Sequence, residues 1–156
     1  MSQLQDSPRI TPFLWFDANA EEAVDFYLPI FKNSRRISEM RNPGPAPVPQ
    51  GGILTIDFEL DGARFTALNG GPYHKFNDAV SFVVRCDSQQ EVDYYWDRLS
   101  DGGTEVACGW LRDRFGLAWQ VVPANIGELV GNRKAMEAMM TMKKLDIAAL
   151  EQAGKS

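Results

Sequence analysis

The chain has 156 residues, of which 44% are apolar and 24% charged, with a formal net charge of −5. This describes one globular domain or two small modules that share a core. There is no basic stripe to support nucleic-acid binding, and no apolar run approaches the roughly 18 residues of a membrane span.

The opening MSQLQDSPR lacks a basic stretch followed by an apolar one, so no secretory leader is expected. Cys86 and Cys108 make neither a disulfide framework nor a metal-ligand cluster, and a cytoplasmic location is expected. Ile10 to Phe16 reads as a strand, with Pro12 pointing to a sheet edge or a bulge. Asn19 is a candidate N-cap for a helix carrying Ala23, Val24, Phe26, Tyr27, Ile30 and Phe31 at helical spacing, closed near Pro29. Ser34 to Met40 is a second strand. Asn42 to Gly52, with Pro43, Pro45, Pro47 and Pro49, is a loop long enough to act as a lid. Gly52 to Leu60 alternates apolar and polar residues. It turns at Asp61-Gly62, a strong hairpin signal, and returns from Arg64 to Leu68.

After the glycine-rich connector Asn69 to Asp78, the pattern starts again. Ala79 to Cys86 is a strand ending at Asp87, as the first strand ends at Asp17. Ser88 with Glu91 forms a capping-box pattern before a helix whose apolar side carries Val92, Tyr95, Trp96 and Leu99. Asp101-Gly102-Gly103 stops it. Thr104 to Ala107, Cys108 to Arg112 and Leu117 to Val122 complete the strands, with Asp113-Arg114 fixing the last turn. The tetrapeptide Val24-Asp25-Phe26-Tyr27 recurs as Val92-Asp93-Tyr94-Tyr95, and Phe65 falls on the same step of its hairpin as Trp119. A repeat of that length is a whole supersecondary module. The expected fold is therefore α+β, two paired β-α-β-β-β modules (8–69 and 78–123) and a helical tail (124–153) in a single domain over 8–156. In the tail, Ile126 to Leu129 is a helical turn and Asn132 to Lys144 a helix whose Met136, Met139, Met140 and Lys143 side is expected to pack. Asp146 caps a last segment, Ile147 to Leu150.

Several stretches resemble a known family. They are ITPFLWFD with EEAVDFY, LNGGPYHKFNDAVSFVV, CGWLRDRFGLAWQVVP and the closing MMTMKKLDIAALEQA. The chain resembles the 3-demethylubiquinone-9 3-methyltransferase-like domains of the vicinal oxygen chelate superfamily, which also includes glyoxalase I, extradiol dioxygenases and the bleomycin- and fosfomycin-resistance proteins. The resemblance spans about Ile10 to Ala153. In that superfamily a metal is held by His or Glu early in each first strand and late in each module's last strand. Carried over, those positions are Thr11, Ser81, Thr66 and Gln120, with neither an imidazole nor a carboxylate among them. No metal site and no cofactor are therefore expected.

Strand alternation places Phe13, Trp15, Leu68, Val83, Arg85 and Val122 on the same faces as those four polar residues. The expected ligand-binding set is Thr11, Phe13, Trp15, Thr66, Leu68, Ser81, Val83, Arg85 and Gln120, an apolar trough with a few hydrogen-bonding groups. Leu14, Phe16, Phe65, Phe82, Val84 and Trp119 should pack under the helices. Arg85 would anchor an anionic or phenolate ligand group, lie in water at the strand end, or pair with a nearby carboxylate. The glycine pairs do not open a helix after a strand, so the methyl transfer in the family label has little physical support. Cys108 has no visible base beside it. No catalytic residue is assigned. Two functions stand: a metal-independent enzyme on a small aromatic or quinone-like compound, and a non-catalytic binding or resistance-type protein. The absence of a general base from the trough favours binding, unless Tyr73 or His74 swings in from the connector. A homodimer with a small-molecule ligand is the expected state.

Overall fold

The computed structural model describes residues 7–45 and 47–156. The opening residues 1–6, read above for a leader, and Ala46 of the proline segment lie outside the described residues. The chain divides into two compact units, one ending at Lys75 and the other running from Phe76 to the C-terminus. Among the described residues no helix is long and apolar enough to cross a membrane.

The first unit is β1 (Phe13–Phe16), α1 (Ala20–Tyr27), β2 (Arg35–Arg41), β3 (Ile53–Leu60) and β4 (Ala63–Asn69), in the sheet order β1-β4-β3-β2. β1 runs parallel to β4 and is an edge strand, as Pro12 implied; the other pairings are antiparallel. The strand is shorter than the apolar run, and Ile10 stands 87% exposed. Helix α1 puts Ala20, Ala23, Val24 and Tyr27 on one stripe, all buried. That stripe meets Phe58, which stacks on Tyr27 (centroids 6.5 Å apart) and on Phe65 (5.4 Å). Asn19 makes no side-chain cap. The carboxamide of Asn69, at the end of β4, does so instead: its Oδ1 accepts from Ala20 N at 2.9 Å. The proline loop closes on Asn42, whose Oδ1 accepts from Gly44 N and whose Nδ2 donates to Val48 O.

The second unit repeats the plan as β5 (Ser81–Cys86), α2 (Gln89–Ser100), β6 (Thr104–Glu105), β7 (Trp110–Arg112) and β8 (Ala118–Pro123), in the order β5-β8-β7-β6 with β5 parallel to β8. The capping box forms: Ser88 Oγ accepts from Glu91 N, and Glu91 Oε1 accepts from Asp87 N. Val92, Trp96 and Leu99 pack beneath α2. Three helices follow: α3 (Ile126–Leu129), α4 (Arg133–Met140) and α5 (Ile147–Gly154).

The tail corrects two expectations. Helix α4 ends at Met140, because residues 142–145 leave it to pair with the 108–109 backbone and with Gln89. Its buried residue is Ala135, while Met136 and Met140 stand 40% and 66% exposed, so the methionine side does not pack inward.

Candidate functional site

In each unit the helix covers one face of the sheet, leaving the far face to carry chemistry. In the first unit, strand register arranges that face in transverse rungs. Phe13, Thr66, Asp57 and Ser38 form one rung across β1, β4, β3 and β2. Asp57 is its centre. Thr66 Oγ1 donates to Asp57 Oδ1 at 2.7 Å and Ser38 Oγ donates to Oδ2 at 3.1 Å. Two hydroxyls held by two different strands thus fix the carboxylate in orientation. Each oxygen still has capacity for another donor.

The next rung is Trp15, Leu68, Thr55 and Met40, apolar except for the Thr55 hydroxyl. Trp15 is held on several sides. Its indole N–H donates to Gly71 O at 2.9 Å. Gly70 lies against the ring so closely that a Cβ there would sit 2.4 Å from Cε2. His74 meets the indole edge-on at 4.6 Å. Backbone bonds from Gly70 N to Phe16 O and from Gly71 N to Asp17 O tie this collar to the end of β1. On the other side of the Asp57 rung lies a charged one, Arg64, Glu59 and Arg35, where Arg35 pairs with Glu59 and Arg64 donates to Ser7 Oγ. The face therefore grades from apolar through a single oriented carboxylate to charged.

The far face of the second unit has different contents. Val83, Gln120 and Trp110 make one rung, and Gln120 Nε2 donates to Ser81 Oγ at 3.0 Å. Arg85 lies beside Val122 and is exposed, with no side-chain partner among the described residues. Arg112 makes a two-pronged bond to Asp78, which holds the Asp78 carboxyl below its ordinary range.

Of the ligand-binding residues expected from sequence, Phe13, Trp15, Thr66 and Leu68 share the first unit's far face, and Ser81, Val83, Arg85 and Gln120 share the second unit's. Thr11 lies outside β1, its hydroxyl donating to Pro8 O. Sequence reasoning missed Asp57, Ser38 and Met40, and with Asp57 it missed a proton-accepting group on the very face judged to lack one. The signal was present. Ile56, Phe58 and Leu60 alternate inward, so Asp57 must face outward, and the two-residue turn at Asp61-Gly62 sets Asp57 opposite Thr66. His74, on the connector, is exposed and meets the edge of Trp15.

Cys86 offers no nucleophile. Cys86 is buried, and desolvation, with smaller contributions from Glu91 and Asp87, pushes its pKa up to about 12. Cys108 adopts a φ of 58° in the turn where its N–H and that of Gly109 bind the tail. The positions that hold metal in the wider superfamily carry hydroxyls and an amide. Among the described residues no three of His, Cys, Asp or Glu are gathered to hold an ion. That donor set does not fit a divalent metal.

Residues 8–122 match the family described as 3-demethylubiquinone-9 3-methyltransferase. The match stops at Val122, before α3 to α5. No curated protein sequence matches the chain. Among solved structures, a Bacillus cereus protein named after the same methyltransferase (PhnB protein) is 29% identical, covering 75% of this chain and 100% of its own, with a TM-score of 0.68. A Pseudomonas aeruginosa protein is 24% identical over 75% of this chain and 98% of its own, with a TM-score of 0.62. A fosfomycin resistance protein of Listeria monocytogenes, FosX, is 14% identical over 78% and 95%, with a TM-score of 0.57. These likenesses show the glyoxalase-like, vicinal oxygen chelate fold.

The family description states a methyl transfer. S-adenosylmethionine in its usual setting lies at a glycine-rich turn between a parallel strand and a helix. Here β1 reaches α1 through Asp17-Ala18-Asn19 and β5 reaches α2 through Asp87-Ser88, without a glycine in either. Gly70-Gly71 follow β4 and collar Trp15 instead. The residues present do not fit that donor in that setting, and no methyl-transfer step is derived.

Proposed function

The chain belongs to the 3-demethylubiquinone-9 3-methyltransferase family, and from that membership we propose that it is a small-molecule-binding protein whose ligand is a small aromatic compound lying on the far face of the first sheet. The observation that carries this reading is the pair of adjacent rungs: Trp15 and Leu68 supply apolar contact, and Asp57 with its two hydroxyls supplies orientation. Pockets that hold small molecules combine an apolar lining with a few placed polar groups in this way. Trp15 is the anchor, because its collar fixes the ring before any ligand arrives and removes the entropic cost of ordering it.

Asp57 also favours a second reading, that the ligand is turned over. A carboxylate within reach of a bound hydroxyl or acidic C–H is a candidate general base, and no metal is needed for that role. The methyl transfer and the resistance activity named for relatives remain less supported. The homodimer also stands as a proposal, supported by the exposed Met136 and Met140 on α4; a concentration-independent monomer mass in sedimentation would overturn it.

The test is a fragment screen by protein-observed NMR with aromatic compounds. Aromatic hits that shift the Trp15 indole N–H, and that lose affinity in Trp15→Leu, are the expected result. Hits that leave that resonance unmoved would remove the site. Product formation from a hit, lost in Asp57→Asn, would decide between enzyme and binder.

A further inference from the structure

The balance of charge around Asp57 goes further than its position. Both of its hydrogen-bond partners, Thr66 and Ser38, are neutral hydroxyls. None of the ion pairs among the described residues includes Asp57. On the next rung Arg35 pairs with Glu59 and Arg64 donates to Ser7 Oγ, so neither guanidinium is bonded to Asp57. Thr66 is only 5% exposed. The Asp57 side chain is thus half-buried and held by two hydroxyl dipoles, without an ion pair of its own among the described residues. A buried or half-buried charge without a counter-charge is unfavourable unless a ligand supplies one.

The hydroxyls matter in a second way. Each spends its only proton on Asp57, so on this rung nothing remains to donate to a ligand. A quinone or other carbonyl compound, which only accepts hydrogen bonds, finds no partner there. A donor does. Beside it, the indole of Trp15 and the thioether of Met40 lie on the apolar rung. An indole face attracts an organic cation.

We propose that this face binds an organic ammonium compound: an apolar or aromatic body against Trp15 and Leu68, with its protonated amine donating to Asp57. The inference rests on the proposed small-molecule role and narrows its ligand class from aromatic compounds in general to cationic ones.

Three matched probes separate the possibilities: 2-phenylethylammonium, 2-phenylethanol and phenylacetate, each titrated into the full chain by protein-observed NMR. The ammonium is expected to bind with the lowest Kd, by about tenfold or more over the alcohol, which is the scale of one charge-assisted hydrogen bond. It should shift the Trp15 indole N–H. Asp57→Asn, which keeps shape and removes charge, should bring the ammonium to the level of the alcohol and leave the alcohol unchanged. Should that variant misfold, salt dependence in the wild-type chain replaces it: ammonium affinity should fall with ionic strength and alcohol affinity should not. Equal binding of the three probes, preference for phenylacetate, no binding of the ammonium, or an unaltered ammonium Kd in Asp57→Asn each overturns the inference. If neutral or anionic aromatics still map to Trp15, the small-molecule role survives that loss. If no aromatic in the wider screen maps there, both fall together.

Discussion

Phe65 and Trp119 occupy the same step of the last strand in their respective modules, and both are buried beneath a helix. Asp57 and Trp110 also occupy equivalent steps, opposite Thr66 and Gln120, yet one is a carboxylate and the other an indole. The repeat is therefore kept where the helix packs and abandoned on the far face. Trp15 likewise has Arg85 as its counterpart, and Gly70 has Ala124. The modules also close their local structure differently. In the first, the α1 cap comes from Asn69, 49 positions away, and the hairpin turn at Asp61-Gly62 is exposed. In the second, Ser88 and Glu91 cap α2 locally, and the hairpin turn is organised by a buried residue. Asp113, 3% exposed, accepts from Phe115 N, Leu117 N and the indole N–H of Trp119. Packing constrains both modules alike, whereas turns, caps and the far face were free to diverge.

The largest expected effect tests the turns. Asp113→Ala strips three donors of their acceptor, two of them inside the core, and should destabilise the chain by about 3 kcal/mol. Asp61→Ala, in the exposed turn of the first module, loses no side-chain hydrogen bond among the described residues and only places alanine at a φ of 47°. Its cost should stay near ~1 kcal/mol. Urea denaturation of the two variants gives the comparison directly, and equal losses would erase it.

Next comes the collar. Gly70→Ala drives a methyl group into the Trp15 ring, and the ring or the connector must move, at a cost of about 1–3 kcal/mol. The counterpart in the second module, Ala124, already carries a Cβ and is exposed. If the clash is the cause, Gly70→Ala should cost little in a Trp15→Ala background, a non-additivity that a double-mutant cycle reads. Purely additive losses would place the strain elsewhere. The caps follow. Asn69→Ala frees the acceptor of Ala20 N and also the donor to Ile53 O, while Ser88→Ala frees one acceptor. Both losses fall at about 1–2 kcal/mol with Asn69 the larger, because it is 6% exposed and ties three elements. Thermal unfolding of the two variants ranks them.

The parts of the fold written in short-range signals were legible. Alternation in Gly52 to Leu60 and the Asp-Gly turn gave β3 and β4, the Ser88–Glu91 spacing gave the start of α2, and the recurring tetrapeptide gave the second module. The cap of α1 was not legible from Asn19, because the acceptor comes from a distant strand end. The methionine side of α4 misled because helical spacing records a stripe and not what covers it. For the site, the resemblance to the superfamily pointed to Thr66, and period-two alternation set Phe13, Trp15 and Leu68 on the same face. Asp57 obeys the same alternation, but it lies on β3, outside the strand positions that hold metal in relatives. His74 against Trp15 depends on the path of the connector, which has no periodicity to read.

The smallest expected effect concerns Cys86, whose counterpart in the first module is Phe16. Both sit at the end of a first strand and face the helix, 1% and 3% exposed. The comparison holds that this step is structural in both modules, so the thiol should behave as a small apolar group. Burial raises its pKa from 9.0 to about 12 in the folded chain. The folded state therefore favours the protonated thiol. The stability it contributes is fully present below about pH 9 and is lost as the pH rises toward 12, because the unfolded chain ionises first. At pH 8 a thiol reagent should leave Cys86 unlabelled in the native protein and label it once urea unfolds the chain, with Cys108→Ser used to isolate the signal. Rapid native labelling of Cys86 would make this step open in the second module and closed in the first, and the shared core would then no longer extend to the strand ends.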